Sequence, residues 1–438
     1  MTDYFDVLII GAGLSGIGMA CHLSRECPHK SVAILERRQA IGGTWDLFRY
    51  PGIRSDSDMM SFGYQFRPWT DTRILADGPS IRRYVNETAQ ACGVDKQVKF
   101  GLKTISAEWS TTAACWTVTA CVEETGEIQQ FSCKFLITAT GYYNHDKGYL
   151  PEFPGMETFK GQCVHPQQWP ENLDYKGKRV VVIGSGATAV TLLPAMANDT
   201  AHITMLQRSP SYVYSLPGKD KMASLLKRVL PESWVYKLSR QRNIHLQRLI
   251  YKTSRRFPNP MRSLLLNSVR KQLGESCDIS HFTPKYQPWD ERLCAVPDGD
   301  LFRVIREGKA SVVTDHIERF TEQGILLKSG KLLEADIIVT ATGLQLQTLG
   351  GMTVSVDGKP QDIAKLMTYK GVLVQNLPNL GYLFGYTNIS WTLKIDMAAQ
   401  YLCRLIHEMD QRKAYIVTPR APEDEVQTDS ILGSLQAG

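Results

Sequence analysis

No two of the ten cysteines in this chain stand in a Cys-x-x-Cys spacing, which excludes a zinc ribbon and a thioredoxin-like redox pair. They read as reduced thiols of a cytoplasmic protein, and no metal site is expected. Long hydrophobic runs are missing as well. The first apolar run, residues 7–10, is far shorter than the ~20 residues that span a bilayer. It follows Asp3 and Asp6 rather than a basic stretch, so neither a signal peptide nor a membrane anchor is expected there. Charge of one sign is also scarce: a formal net charge of +6 over 438 residues is no argument for nucleic acid. What remains is an ordinary globular composition, long enough for more than one domain.

Residues 7–10 read as a short buried strand, and Gly11-Ala12-Gly13-Leu14-Ser15-Gly16 follows at once, opening a helix. The first glycine permits a sharp turn, the second lets backbone approach a pyrophosphate, and the third lets the helix pack close to the strand. The helix N-terminus then faces the phosphates. A second apolar strand, 31–35, ends on Glu36, about 20 residues past the turn, where a ribose hydroxyl needs an acceptor. Strand, turn, helix, strand and acid together predict a dinucleotide site.

Residues 42–56 run Gly-Gly-Thr-Trp-Asp-Leu-Phe-Arg-Tyr-Pro-Gly-Ile-Arg-Ser-Asp. The paired glycines suit backbone lying close to a large cofactor. Trp45 and Tyr50 offer either a surface for a ring system or ordinary core packing. Strands are expected at 98–105, 116–122 and 131–138, forming a small antiparallel layer over the first unit. The last leads into Thr138-Ala139-Thr140-Gly141, which is echoed by Thr340-Ala341-Thr342-Gly343. This internal repeat marks the departure from the first domain and the return to it.

Between the two lies a second unit. Residues 159–170, Phe-Lys-Gly-Gln-Cys-Val-His-Pro-Gln-Gln-Trp-Pro, make a poor helix and a poor central strand, and are expected as a shaped hinge loop. Residues 179–183 form another strand, followed by Gly184-Ser185-Gly186-Ala187-Thr188-Ala189, the Ala-ended variant of the same turn. Its second strand closes on Gln207-Arg208 with no acid. An arginine there suits the 2'-phosphate of NADP, because guanidinium holds phosphate through paired hydrogen bonds; a merely solvated Arg208 is the alternative. Residues 219–271 are rich in Lys and Arg, with apolar residues such as Leu225, Val229, Leu246, Leu249 and Ile250 at helical spacing. They predict a helical insertion with a basic outer face, read as a solvated surface in preference to a membrane-surface patch. Beyond Pro419 the chain turns acidic and polar and is expected to be a loose tail.

Two dinucleotide turns flanking Phe159-x-Gly161-x-x-x-His165-x-x-x-Trp169-Pro170 resemble the type I Baeyer-Villiger monooxygenases, whose linker fingerprint matches at every specified position. Residues 42–56 look like their second fingerprint. That stretch, Asn388-Ile389-Ser390-Trp391-Thr392-Leu393 and Pro288-Trp289-Asp290-Glu291-Arg292-Leu293 are most similar to the ethionamide-activating subgroup. Glu291 departs from the pattern, standing where many members carry a lysine that helps hold NADP.

The resemblance implies an α/β fold of two Rossmann-like dinucleotide-binding domains with a helical insertion. Residues 1–145 and 345–438 would bind FAD, residues 150–210 and 290–344 NADPH, and residues 211–289 would form the insertion. The expected FAD contacts are Gly11, Gly13, Ser15, Gly16, Glu36, Gly43, Thr44, Trp45, Asp56 and Thr104. Those to NADP are Gly184, Ser185, Gly186, Ala187, Thr188, Ala189, Gln207 and Arg208. NADPH would reduce the flavin, and a C4a-peroxide formed with oxygen would attack a ketone carbonyl to give an ester or lactone, or pass oxygen to a sulfide. The small lipophilic ketone or sulfide and O2 are the implied partners. The family arginine matches Arg292 and the aspartate that orients it matches Asp56; a guanidinium stays charged at any working pH and can stabilise a developing anion. His165 and Trp169 would couple hinge position to the site, and Trp391 would line the substrate pocket or sit in the core. Two rivals share the nucleotide turns: a heteroatom oxygenase of the flavin-containing type and a silent NADPH-sensing flavoprotein.

Overall fold

Two sheets with parallel strands at their centres carry the two glycine turns. The computed structural model describes residues 3–275, 277–291, 293–386 and 389–421. The first sheet grows from the strand Asp3–Ile10, which pairs in parallel with Val32–Leu35 on one side and Ile128–Thr138 on the other. Alternate residues of the run enter different cores: Val7 and Ile9 pack with the helix Leu14–Glu26, and Leu8 and Ile10 pack on the opposite face. A strand buried on both faces reads as an unbroken apolar run, as this one does.

The antiparallel strands are not a separate layer over this unit, as expected from the sequence, but part of the same sheet of eleven strands. The reason is the length of Ile128–Thr138. Its first half pairs antiparallel with Cys115–Val122 and its second half pairs in parallel with Leu380–Tyr382, while Asp3–Ile10 runs along its other edge. The helix Trp391–Gln411 closes the unit by packing Ile395, Ala399 and Leu402 into the core shared with Leu14–Glu26.

The second sheet is parallel throughout, in the order Ala310–Thr314, His202–Gln207, Arg179–Ile183, Ile337–Thr340, Gln162–Val164. The hinge stretch therefore contributes an edge strand rather than loop alone. An edge asks for pairing on one side only, which a three-residue strand bounded by Gly161 and Pro166 can supply. The chain crosses between the units through Tyr143–Gly148 and returns through Leu344–Leu346, and these two segments pair antiparallel.

The strands Val213–Leu216 and Cys294–Pro297 pair with each other and bracket the insertion, whose helices are Lys221–Leu226, Glu232–Arg256 and Pro258–Leu273. Among the described residues no helix is long and apolar enough to cross a membrane.

Candidate functional site

The two glycine turns are built alike. Gly11 has φ +101°, and a Cβ there would lie 2.7 Å from the carbonyl oxygen of Ala139. Gly184 has φ +137°, and its Cβ would collide with the carbonyl oxygen of Ala341. Each turn thus lies against one copy of the Thr-Ala-Thr-Gly repeat, whose carbonyl only a glycine can face in that conformation. Neither Gly13 nor Gly186, the residues that start the following helices, carries a side-chain cap, so the first-turn N–H groups are left for a ligand.

Glu36 ends the second strand of the first unit and is buried. Its Oε2 accepts from the Ala12 N–H at 2.7 Å and its Oε1 from the Arg38 N–H at 2.8 Å. Burial raises its pKa, against the pull of these two N–H groups. Gly43 crosses directly over Gly13, with 2.9 Å left between a Cβ on Gly43 and the Gly13 Cα, and Gly42 N–H donates to the Ala12 carbonyl at 3.1 Å. The second fingerprint is thereby held against the first turn by backbone alone. Asp46, buried within it, anchors three arginines: Arg38 at 2.8 Å, Arg49 at 2.6 Å and Arg82 at 3.1 Å.

One cleft gathers these parts. Its lining includes Gly11, Gly13, Ser15 and Glu36 from the first turn, Gly43, Thr44, Trp45 and Asp56 from the fingerprint, Thr104, Trp391, and Ala187 and Thr188 from the second turn. Two contacts draw the fingerprint to the second unit. Tyr50 packs with Phe48 and Ile53 into the core of the second sheet, where burial pushes its hydroxyl up to about 12. Arg54 pairs with Asp300 at 2.6 Å. Trp391 donates from Nε1 to Ser15 Oγ at 2.8 Å and stacks on Tyr142 with ring centres 5.3 Å apart. It lines the cleft and also packs against the cores on both faces of the first sheet. His145, also in the lining, is pushed down to about 4 by burial and the guanidiniums of Arg37 and Arg38, and stays neutral.

The cleft fits a dinucleotide. A backbone cradle, a carboxylate at the strand end and the buried Thr104 Oγ1, which has no partner among the described residues, all meet at its wall.

Other expected residues lie outside the lining. Gly16 supports the turn from behind, against the Gly11 carbonyl. Gly184, Gly186 and Ala189 shape the second turn, and Ser185 Oγ lies 2.9 Å from Ser211 Oγ. Gln207 is turned inward, its amide donating to the His281 carbonyl at 2.7 Å and to Thr314 Oγ1 at 2.8 Å. Arg208 is exposed at the end of His202–Gln207. Phe159 packs edge-on to Phe320 in the second unit, Gly161 abuts the Asp336 carbonyl, and Trp169 packs against the core of the second sheet. His165 sits at the crossing strands. Arg292 and Asn388 lie outside the described residues.

A family model described as flavin-binding monooxygenase-like matches residues 5–377. The chain is similar to the protein MymA of Mycobacterium tuberculosis, 59% identical over 442 residues that cover 100% of this chain and 89% of that protein. It is also similar to the FAD-containing monooxygenase EthA of Mycolicibacterium smegmatis, 51% identical over 428 residues, 97% of this chain and 87% of that one. In fold it resembles an epsilon-caprolactone-bound crystal structure of cyclohexanone monooxygenase, with a TM-score of 0.81 at 20% identity over 97% of this chain and 91% of the other.

Proposed function

The chain belongs to the flavin-binding monooxygenase-like family, and from that premise we propose that it is an FAD- and NADPH-dependent Baeyer-Villiger monooxygenase. It inserts one atom of O2 next to the carbonyl of a small lipophilic ketone, giving an ester or lactone, and also oxidises sulfides. The observation that carries this reading is the single cleft that takes both dinucleotide turns into its walls, with Asp56 and Trp391 in the same lining. We assign residues 1–145 and 345–438 to the FAD unit, 150–210 and 290–344 to the NADPH unit and 211–289 to the insertion. The FAD-containing relative at 51% identity supports the first cofactor.

Bound FAD supplies the activation of O2, with NADPH as the source of electrons. The residues of the chain bind, orient and exclude water. Glu36 accepts from a ribose hydroxyl, and the first-turn N–H groups of Leu14–Glu26 receive the pyrophosphate. Arg208 takes the 2'-phosphate of NADPH. Arg292 supplies a fixed positive charge to the oxyanion that forms on the ketone, and Asp56 orients that guanidinium. Trp391, held by Ser15 and Tyr142, forms an apolar wall that keeps water from the reacting carbonyl.

The test is product analysis by mass spectrometry after the flavin-loaded protein has been incubated with NADPH, oxygen, a linear methyl ketone and an aryl methyl sulfide. Ester from the ketone is expected. Sulfoxide alone would move the protein to the heteroatom oxygenases.

A further inference from the structure

The insertion helix Glu232–Arg256 is built inside out. The inner face of a surface helix ordinarily carries its apolar stripe, but here much of it is polar. Arg240 Nη1 donates to the carbonyls of Met60, Ser61 and Gly63 at 3.1, 2.9 and 2.6 Å. Asn243 donates to Asp58 at 2.7 Å and the Tyr236 hydroxyl to the Tyr64 carbonyl at 2.9 Å. These bonds fix which side meets the protein.

The side left outward carries large apolar residues among basic ones. Trp234, Leu238, Leu246 and Leu249 are 59, 47, 50 and 62% exposed. At about 100° per residue they fall within roughly a third of the helix circumference. The neighbouring helix Lys221–Leu226 and the turn after it add Leu225, 63% exposed, and Val229, 76% exposed. Of the 24 large apolar side chains exposed among the described residues, 11 lie in residues 222–264, so they form a patch rather than a scatter.

The same segment is basic. Residues 219–271 hold 14 Lys and Arg against two acids, a net +12 in a chain of net +6, which leaves the remainder at −6. Both acids are already paired, Asp220 with Arg242 and Glu232 with Lys227. Lys237 and Arg248 stand exposed at one edge of that third, and Lys252 and Arg256 stand exposed within it, further along the helix than these apolar residues. A solvated basic face, the expectation from sequence, leaves the exposed leucines and Trp234 without a role.

We propose that this face docks on an anionic lipid surface. The helix lies in the interface plane, with Trp234, Leu238 and Leu249 turned into the acyl boundary and the flanking lysines and arginines at the level of the phosphates. Charged residues at 237, 248, 252 and 256 recur along the helix, which suits a seat on the surface and not a span. Charge also decides against a second copy of the chain, since a two-fold contact would set +12 against +12.

The experiment is sedimentation of the flavin-loaded full chain with vesicles of pure phosphatidylcholine and with vesicles of phosphatidylcholine mixed with phosphatidylglycerol. Binding to the mixed vesicles is expected, weakened by salt. It should fall roughly tenfold or more in Leu249→Glu and in the double variant K237E/R248E, while flavin content and melting temperature stay at the parent's values. No sedimentation of the parent with the mixed vesicles overturns the proposal, as does binding that both variants leave unchanged. If the parent ignores vesicles and Leu249→Glu instead dissociates an oligomer seen by light scattering, the face belongs to a second copy and the proposal falls.

Discussion

His165 is clamped between the two strands that join the units: its Nε2–H donates to the Gly343 carbonyl at 3.2 Å, and its ring fills the place a Cβ on Gly148 would take. Its Nδ1 accepts from the Gln167 N–H at 3.2 Å. Burial lowers its pKa, so the ring sits there neutral with one nitrogen donating and the other accepting. Gln167, buried next to it, donates to the Asn144 carbonyl at 2.7 Å, tying the hinge a second time to the outgoing strand.

This clamp predicts a coupled pair of substitutions. Gly148→Ala drives a methyl group into the imidazole and should cost about 2 kcal/mol, the usual range for overpacking. In the background of His165→Ala the same change meets the space the ring has vacated and should cost less than half as much. Chemical denaturation of the four proteins of the cycle measures the coupling. Additive costs would mean that the ring is not what Gly148 makes room for.

Arg292 is the fixed cation that we propose for the reaction. Arg292→Ala should retain flavin, because the binding groups of the first turn are untouched, yet lose ester formation by about 100-fold or more. Bound flavin is read from its visible absorbance and ester from product analysis. Undiminished ester would remove Arg292 from the mechanism.

At the second turn the prediction concerns the coenzyme. Arg208 is exposed where an acid would select NADH, so the parent should strongly prefer NADPH. In Arg208→Ala the ratio of kcat/KM for NADPH over NADH should narrow by roughly tenfold or more, the worth of a charge-assisted hydrogen bond to phosphate. Equal use of the two coenzymes by the parent would end this assignment.

The local units were legible because each is a short-range pattern. The run 7–10, the glycines that follow and Glu36 lie close together in sequence and meet in one turn. The Thr-Ala-Thr-Gly repeat was visible, but its purpose was not, since the carbonyl of Ala139 meets Gly11 only once the strands are paired. Asp46 with Arg38, Arg49 and Arg82, and Arg54 with Asp300, 246 residues apart, carry no periodic signal at all. The insertion shows a different limit. Periodicity finds the apolar stripe of a helix, but only the bonds of Arg240 and Asn243 reveal that much of the stripe points outward.

The helix that begins at Trp391 is held to the helix of the first turn by a buried histidine, and this gives stability a pH dependence. His22 Nδ1 lies 2.8 Å from Glu26 and Nε2 lies 3.3 Å from Asp396 on Trp391–Gln411. Asp396 also accepts from the Gln65 N–H at 2.9 Å and faces Arg240 at 3.5 Å. Burial opposes charging of His22, but the hydrogen bonds to Asp396 and Glu26 outweigh it and the net shift is upward. A histidine whose pKa is raised on folding adds stability that is complete below its unfolded value of about 6.5 and is lost as pH rises through the folded value. The denaturation midpoint of the parent, measured against His22→Gln across that window, should therefore fall with rising pH, while the variant loses this component. Equal slopes in the two proteins would show that His22 is not charged in the folded state.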